Sequence, residues 1–290
     1  MDKINKEYDF AIIIFLDILG FKDIINKGKK PEEIEKYLEP FKDMQLYLSE
    51  IIDIKFNHPL KSYYFSDLLV ISVPMGKTNE KFLENLNDDE RGDVRLELSV
   101  ILEFLYMFLL PHVAKYNVLI RGSITIGEIY LDINEKEVFG KGLIRAYELE
   151  KDFAIYPRVV IDPEVSSKLY KFDVESAQKM QDLVSIDDGI WFIDYLNPKQ
   201  LLKFLKSKKI KKLALEPLGY QNYCEVLKDH RELIMSNLGD IKGFDKNLIK
   251  IYWLIKYHNN SVRSLSKHLN KKYNFNTQDL LVSEGEKYKF

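Results

Sequence analysis

The stretch FAIIIFLDILGFKDII, residues 10–25, decides the interpretation of the fold. It opens as a continuous apolar run, which is typical of a strand covered on both faces. The run reaches Asp17 and is followed by Gly20, so it predicts a strand over 8–17 and a short helix over 20–27. A carboxylate at the end of an interior strand must be hydrogen-bonded, paired with a cation or holding a metal ion. The simpler alternative is that Asp17 caps the following helix.

A second carboxylate lies in a similar setting in LKSYYFSDLLVISVP, residues 60–74. Apolar or aromatic runs flank Ser66 and Asp67, which predicts a hairpin of strands 60–66 and 67–74 with Asp67 at its turn. Taken alone, Asp67 is also explained as an ordinary turn residue. Two aspartates at the ends of apolar strands in adjacent elements instead favour a shared site.

Paired carboxylates with oxygen neighbours suit Mg²⁺ or Mn²⁺, which take few protein oxygens and complete their shells with phosphates and water. Two such ions about 4 Å apart activate an attacking oxygen and stabilise a leaving one. The backbone N–H groups of Leu19, Gly20 and Phe21, at the start of the predicted helix, would then face a phosphate.

The rest of the chain predicts an α+β fold with one mostly antiparallel sheet, because strands come in hairpins separated by helices. The remaining elements expected before residue 196 are helices 32–54, 94–115 and 140–151, and strands 118–127, 128–133 and 157–161, with a polar loop over 75–93 that has room for a short helix. Beyond this point the pattern is rich in Leu, Ile and Lys at helical spacing. We therefore predict a domain over 1–196 and a helical C-terminal extension over 197–290.

Composition excludes several classes of protein. Lys and Arg number 43 against 45 Asp and Glu, so no basic surplus indicates nucleic acid as a partner. The single cysteine, Cys224, cannot form an intramolecular disulfide and fits a reducing compartment, so we expect a cytoplasmic protein. No apolar stretch reaches the roughly 18 uninterrupted residues of a membrane span. The five histidines lack HxxxH or HxH spacing, which does not favour a zinc site.

Four segments resemble the ordered motifs of class III nucleotide cyclases, over roughly residues 8 to 195. They are FLDILGF, FSDLLVIS, IRGSITIGEIY and VFGKGLIRAYELE. The chain is more closely similar to the bacterial pyrimidine nucleotide cyclases of Pycsar anti-phage systems. The resemblance implies a ferredoxin-like catalytic domain and a head-to-tail homodimer. It implies two Mg²⁺ or Mn²⁺ ions held by Asp17, the carbonyl of Ile18, and Asp67. The implied reaction converts a nucleoside triphosphate to its 3′,5′-cyclic monophosphate and pyrophosphate, and the product would activate a downstream effector.

The chain departs from the purine cyclases at their transition-state pair. Aligned without a gap, the asparagine and arginine of those enzymes fall on Ile144 and Glu148. Arg145 and Arg158 are the nearest cations that could neutralise phosphate charge. This gap leaves open a catalytically degenerate nucleotide sensor. A palm-domain enzyme that makes linear or cyclic oligonucleotides is a third alternative.

A second departure concerns the base. The lysine that reads adenine in ATP-using relatives is replaced by Tyr63, four residues before Asp67. The Pycsar cyclases are similar in using a tyrosine and an arginine, and Arg121 is the arginine best placed here, with Lys61 near enough to compete. A tyrosine fills the pocket and offers a hydroxyl to a smaller base. We expect UTP or CTP as substrate, with UTP favoured.

Overall fold

The computed structural model describes residues 7–28, 30–55, 60–75, 84, 86–170, 180, 182–208, 215–219, 222–240, 246–269 and 278–283. The chain divides into two compact units. Unit 1 consists of Met1–Phe104 and Leu119–Ile193, and unit 2 of Leu105–Val118 and Asp194–Phe290.

Unit 1 contains one sheet in the order β2-β3-β1-β4-β6-β8-β7, with β5 paired to β4. The strands are β1 (Asp9–Leu19), β2 (Lys61–Phe65), β3 (Leu68–Pro74), β4 (Leu119–Asp132), β5 (Glu137–Phe139), β6 (Val159–Ile161), β7 (Val184–Asp187) and β8 (Ile190–Ile193). The helices of the chain up to Tyr170 are α1 (Phe21–Asn26), α2 (Pro31–Lys55), α3 (Asp88–Tyr116), α4 (Lys141–Phe153) and α5 (Pro163–Tyr170). Helix α3 belongs to unit 1 up to Phe104 and to unit 2 from Leu105.

The first four strands have ferredoxin-like order. Strand β1 lies between β3 and β4 and is antiparallel to both, and β2 is antiparallel to β3. Helices α1 and α2 connect β1 to β2, and α3 connects β3 to β4, which completes the βαββαβ arrangement. The described strand pairs are antiparallel except β4 with β6. The predicted α+β class with a mostly antiparallel sheet is confirmed.

Strand β1 is the interior strand that its apolar run predicts. From Phe10 to Leu16 every residue is buried. The predicted end at Asp17 is wrong, because β1 continues to Leu19 and keeps pairing with β4 over its last two residues. Asp17 therefore lies within a strand that is hydrogen-bonded on both sides, and its side chain projects from the sheet.

Strand β4 corrects a second prediction. The two strands expected over 118–127 and 128–133 form one strand of 14 residues, which pairs with β1 from Asp9 opposite Ile129 to Leu19 opposite Leu119. Gly127, near the predicted break, marks a close approach of another backbone. A Cβ built on Gly127 would lie 2.9 Å from Cα of Gly142 in α4.

Helix α4 packs on the face of the sheet where Gly127 approaches Gly142. Its buried residues include Gly142, Ala146, Leu149 and Glu150. The apolar cluster under the helix joins residues of β1, β3, β4 and α4, namely Ala11, Ile13, Phe15, Val70, Ile129, Leu131 and Ala146. Successive side chains of a strand point to opposite faces of the sheet, and Ile13, Phe15 and Asp17 follow one another at intervals of two residues. Asp17 therefore lies on the same face of β1 as Ile13 and Phe15, which is the face that α4 covers.

Helix α3 begins at Asp88, inside the stretch predicted as a polar loop over 75–93. Residues 76–83 and 85 of that stretch lie outside the described residues. Among the described residues, α3 is the one helix long and apolar enough to cross a membrane, and 67% of its most apolar window is buried. Such burial is typical of a core helix.

Unit 2 is helical in all its described regular structure. Besides the end of α3 it contains α6 (Pro198–Lys206), α7 (Tyr223–Asp240) and α8 (Lys246–Leu269), with 3₁₀ turns at Glu216–Leu218 and Gln278–Leu280. Tyr257 of α8 donates from its hydroxyl to Asp194, 2.7 Å away, and accepts from the backbone N–H of Leu196. These bonds tie the start of the C-terminal segment to α8.

Candidate active site

The structure brings Asp17 and Asp67 together. Asp17 is opposite Leu68 in the β1–β3 register, and Asp67 immediately precedes Leu68 in the turn between β2 and β3. The backbone N–H of Ile18 donates to the carbonyl of Asp67 over 3.0 Å. Ser66 takes a positive φ of 56°, which closes this tight turn.

The side chains of the two aspartates also interact. The pKa of Asp17 is raised above its ordinary value, chiefly because burial disfavours the charged form. A hydrogen bond and charge interaction with Arg121 oppose this rise, and the nearby carboxyl of Asp67 adds to it. Two carboxyls whose charges repel in a partly buried place are the arrangement that a divalent cation stabilises.

Arg121 of β4 joins the aspartate pair. It is directly opposite Asp17 in the β1–β4 register, and its Nε donates to Oδ2 of Asp17 over 2.9 Å. The same Nε lies 2.6 Å from Oε1 of Glu150, which reaches down from α4. The Glu150 side chain is only 5% exposed, against 18% for Asp17 and 25% for Arg121. Asp17, Asp67, Arg121 and Glu150 form what we call the acidic cluster.

The acidic cluster carries three carboxyl groups and one guanidinium. When all are ionised its net charge is −2, and bound divalent cations would offset this negative charge. The described residues contain no group of three His, Cys, Asp or Glu side chains placed to hold a metal ion. Mg²⁺, however, is usually bound through one or two carboxylates together with water and substrate phosphates. Asp17 and Asp67 therefore fit such an ion, and the carbonyl of Ile18 stays a predicted ligand.

The predicted phosphate-binding backbone is only partly at a helix start. Leu19 is the last residue of β1 and pairs with Leu119, so it is not part of the helix. Gly20 is the N-cap of α1 with φ 83°, a left-handed conformation that favours glycine, and Phe21 is the first helical residue. Within the part of the chain that the structure describes, no side-chain hydrogen bond caps α1. The alternative that Asp17 serves as this cap is therefore wrong.

Of the residues predicted to read the base, Tyr63 and the competing Lys61 lie on β2, and Arg121 lies on β4. Tyr63 is partly buried and packs against the apolar cluster beneath α4. Tyr63 is opposite Val70 of β3, and Val70 is opposite Phe15 of β1. Phe15 and Asp17 are two residues apart, a separation of about 7 Å along the strand direction. Lys61 forms an ion pair of 2.5 Å with Asp9.

Tyr63 and Arg121 were expected to share a pocket. Strands β3 and β1 lie between their two strands in the sheet order, and Arg121 contacts Asp17 and Glu150. The structure thus places Arg121 at Asp17 of its own chain.

Arg145 and Arg158 lie in other ion pairs. Arg145 binds Asp162 through two nitrogens, at 2.9 and 2.8 Å, and Thr125 donates to the same carboxylate over 2.7 Å. Burial alone would raise the pKa of Asp162, but these hydrogen bonds hold it below its ordinary value. Arg158 is 3% exposed and binds Asp187 over 3.2 Å. Burial lowers the pKa of Arg158 from its ordinary value.

Glu150 was not predicted from the sequence. The signal that could have found it is helical periodicity, because Glu150 follows Ala146 by four residues and Ala146 lies at the centre of the buried face of α4. A glutamate on a buried helix face needs a cationic partner, and Arg121 supplies one.

Comparison with known proteins adds similarity to solved structures. No protein-family model matches the chain, and no curated protein matches it. Among solved structures, it is similar to the monomeric guanylyl cyclase domain of the RhoGC fusion protein from the aquatic fungus Blastocladiella emersonii, with 12% identity and a TM-score of 0.40. The similarity covers 65% of this chain and 96% of that domain. At this TM-score it carries no weight for function, which rests below on the geometry of this chain.

Proposed function

We propose that this protein is a metal-dependent nucleotide cyclase that converts a pyrimidine nucleoside triphosphate to its 3′,5′-cyclic monophosphate and pyrophosphate. The observation that carries the proposal is the convergence of the Asp17 and Asp67 carboxyl groups at the turn between β2 and β3, with the charge of Asp67 raising the pKa of Asp17. The four-motif resemblance supports the reaction class. Residues 1–196 would be the catalytic domain and 197–290 a helical extension.

In the proposed reaction the ribose 3′-hydroxyl attacks the α-phosphorus and pyrophosphate leaves. When bound, two Mg²⁺ or Mn²⁺ ions would supply the positive charge that lowers the pKa of the attacking hydroxyl and neutralises the leaving group. Asp17 and Asp67 would hold these ions together with the carbonyl of Ile18. The N–H groups of Gly20 and Phe21 orient a phosphate, and the leaving group is stabilised by charge and position.

Arg121 supports this chemistry better than Arg145 or Arg158. Its guanidinium is already at Asp17, whereas the two other arginines are bound to Asp162 and Asp187. We therefore assign neutralisation of the phosphate charge to Arg121 and recognition of the base to Tyr63 and Lys61. UTP is favoured over CTP because uracil offers two carbonyl acceptors to a nearby cation and cytosine offers one.

The further parts of the proposal follow from the resemblance. The chain would act as a homodimer in the cytoplasm, and its cyclic nucleotide would activate an effector in anti-phage defence. A second candidate, a nucleotide sensor without turnover, is favoured by Ile144 and Glu148 at the positions of the transition-state pair. A palm-domain oligonucleotide synthase would share the two-metal site.

The test is to incubate the protein with each of the four ribonucleoside triphosphates and Mn²⁺, and to resolve the products by chromatography. We expect cyclic UMP or cyclic CMP with pyrophosphate. Asp17→Asn and Asp67→Asn should each lower turnover at least about tenfold, because amides ligate Mg²⁺ and Mn²⁺ poorly while nearly preserving shape.

Asp187→Asn is a matched control, since it removes a carboxylate paired with an arginine elsewhere on the sheet. It should keep wild-type turnover. Tight binding of a triphosphate with no product would establish the sensor, and an oligonucleotide product would establish the polymerase. Full activity of either active-site variant would refute the metal assignment.

A further inference from the structure

Arg121 is bound to two carboxylates through a single nitrogen. Nε of arginine carries one hydrogen, and here it is donated to Oδ2 of Asp17. Oε1 of Glu150 contacts the same nitrogen at 2.6 Å as an ion pair. A small rotation of the guanidinium would therefore exchange one carboxylate for the other as the hydrogen-bond acceptor.

Binding of a divalent cation at Asp17 conflicts with the observed ion pair. Such an ion lies about 2.1 Å from its carboxylate ligand. A guanidinium 2.9 Å from the same carboxylate would then sit beside it, and two like charges at such a distance repel strongly in a partly buried site. Withdrawal of Arg121 from Asp17 would reduce this repulsion and would free Oδ2 for a metal ion.

Glu150 provides the place to which Arg121 can withdraw. Its carboxylate is almost fully buried, and a buried carboxylate without a cation is costly. Keeping the guanidinium on Glu150 avoids that cost after Asp17 has turned to the metal. Since Glu150 comes from α4 and Asp17 from β1, the two carboxylates approach Arg121 from different elements.

We propose that Glu150 is a positioning residue that takes over the Arg121 guanidinium when a divalent cation binds Asp17. Glu150 does not ligate the cation; it acts through Arg121. This inference rests on the proposed metal site at Asp17 and Asp67, and it explains why a buried glutamate lies next to that site.

A double-mutant cycle on metal affinity tests the proposal without any need for turnover. The measurement is the dissociation constant for Mn²⁺, from the electron paramagnetic resonance signal of free Mn²⁺ in titrations of the purified full-length chain. Glu150→Gln should weaken Mn²⁺ binding at least about tenfold, because Arg121 is then left with Asp17 alone, and Arg121→Gln should tighten it at least about threefold.

The double variant decides between positioning and ligation. If Glu150 acts through Arg121, the double variant should bind Mn²⁺ within about threefold of Arg121→Gln alone, since no guanidinium remains to be moved. If the double variant stays as weak as Glu150→Gln, then Glu150 is a metal ligand and the proposal is wrong. Asp187→Asn, which also removes one negative charge from an arginine pair, should leave the affinity within about twofold of wild type.

The outcomes separate this inference from the proposed function. Failure of wild-type protein to bind Mn²⁺, or unchanged binding by Asp17→Asn, would overturn both the metal site and the role of Glu150. Metal binding that depends on Asp17 but is unchanged in Glu150→Gln would overturn the role of Glu150 alone. If Glu150→Gln fails to fold by circular dichroism, Arg121→Gln still decides, because unchanged or weaker Mn²⁺ binding by that variant contradicts the proposal.

Discussion

Asp17 shows how one position combines opposing effects. Burial and the neighbouring Asp67 raise its pKa, while the ion pair with Arg121 lowers it, and the rise prevails. The sequence predicts that Asp17 and Asp67 share a site, because each borders an apolar run that must lie in the same sheet. Glu150 was not predicted, because its spacing of four residues from Ala146 distinguishes it from Glu148 only once Ala146 is known to lie on the buried face of α4.

Tyr63 leads to a prediction about the base at the residue scale. Its ring is packed against the apolar cluster and leaves less room for a base beside β2, which favours a single-ring base. We expect wild-type protein to turn over UTP or CTP at least about tenfold better in kcat/KM than ATP or GTP.

Tyr63→Lys should reduce this preference, because a long flexible ammonium reopens the space and can contact a purine. The measurement is kcat/KM for the four nucleotides with both proteins. Tyr64→Lys is the matched control, since the neighbouring residue faces the opposite side of β2 and is 36% exposed. A wild-type preference for ATP or GTP would show that the assignment of Tyr63 is wrong even if cyclase activity is found.

At the scale of elements, the long patterned segments were predicted, whereas among the described strands of 3 or 4 residues only β6 was, as the strand over 157–161. Strand β1 and the β2–β3 hairpin were predicted from strong apolar runs. Strands β5, β7 and β8, of 3 or 4 residues each, were not predicted. Such short strands are stabilised by the strands beside them rather than by their own sequence. The prediction of two strands in place of β4 was wrong for a related reason. Gly127, near the predicted break, permits close contact with α4 and does not end the strand.

Gly127→Ala tests this role of the helix–strand contact. The added methyl would lie 2.9 Å from Cα of Gly142, a backbone atom that cannot rotate away, so α4 must shift. We expect a loss of about 1–3 kcal/mol in the free energy of unfolding, as for overpacking elsewhere in proteins, measured by denaturant titration.

Gly92→Ala is the control for this substitution. A Cβ at Gly92 meets no atom within 4 Å, and the residue lies in α3. The change should stabilise the chain by roughly 0.5–1 kcal/mol, because alanine loses less conformational entropy in a helix. An equal effect of the two substitutions would contradict the close-contact explanation for Gly127.

At the scale of the whole molecule, unit 2 contains a buried histidine pair that sequence spacing did not reveal. His258 donates from Nε2 to the carbonyl of Leu280 over 2.8 Å, so its Nδ1 accepts from Nδ1 of His230 over 3.0 Å. This network assigns both rings as neutral. Burial lowers the pKa of His258 to about 4 and that of His230 well below its ordinary value.

The histidine pair should make unit 2 sensitive to acid. Both histidines bind protons more readily in the unfolded chain, so their contribution is fully present above pH 6.5 and is lost as the pH falls toward 4. For His258 alone the loss is about 3 kcal/mol. Denaturation followed by Trp253 fluorescence, in a Trp191→Phe background, should show this fall, and His230→Phe should flatten it. An unchanged pH slope in His230→Phe would rule out the pair as its origin.

The last prediction concerns assembly. Ile144 and Tyr147 are 59% and 50% exposed and lie one turn apart on the outer face of α4, next to the helix position that presents Glu150 to Arg121. In a two-fold dimer the same patch is buried twice, once on each chain, so this apolar face suits the expected homodimer. Changing both residues to glutamate should weaken dimerisation at least about tenfold, or roughly 1.4 kcal/mol, in sedimentation velocity experiments.

Ile249→Glu is the matched control, because Ile249 is 62% exposed but lies on α8 in unit 2. It should leave the dimer intact. If the wild-type chain is monomeric at tens of micromolar, or if Ile249→Glu dissociates it equally, the dimer through α4 is wrong. Turnover by such a monomer would further mean that one chain supplies the whole acidic cluster and the base pocket. The observed pairing of Arg121 with Asp17 of its own chain permits this for the acidic cluster.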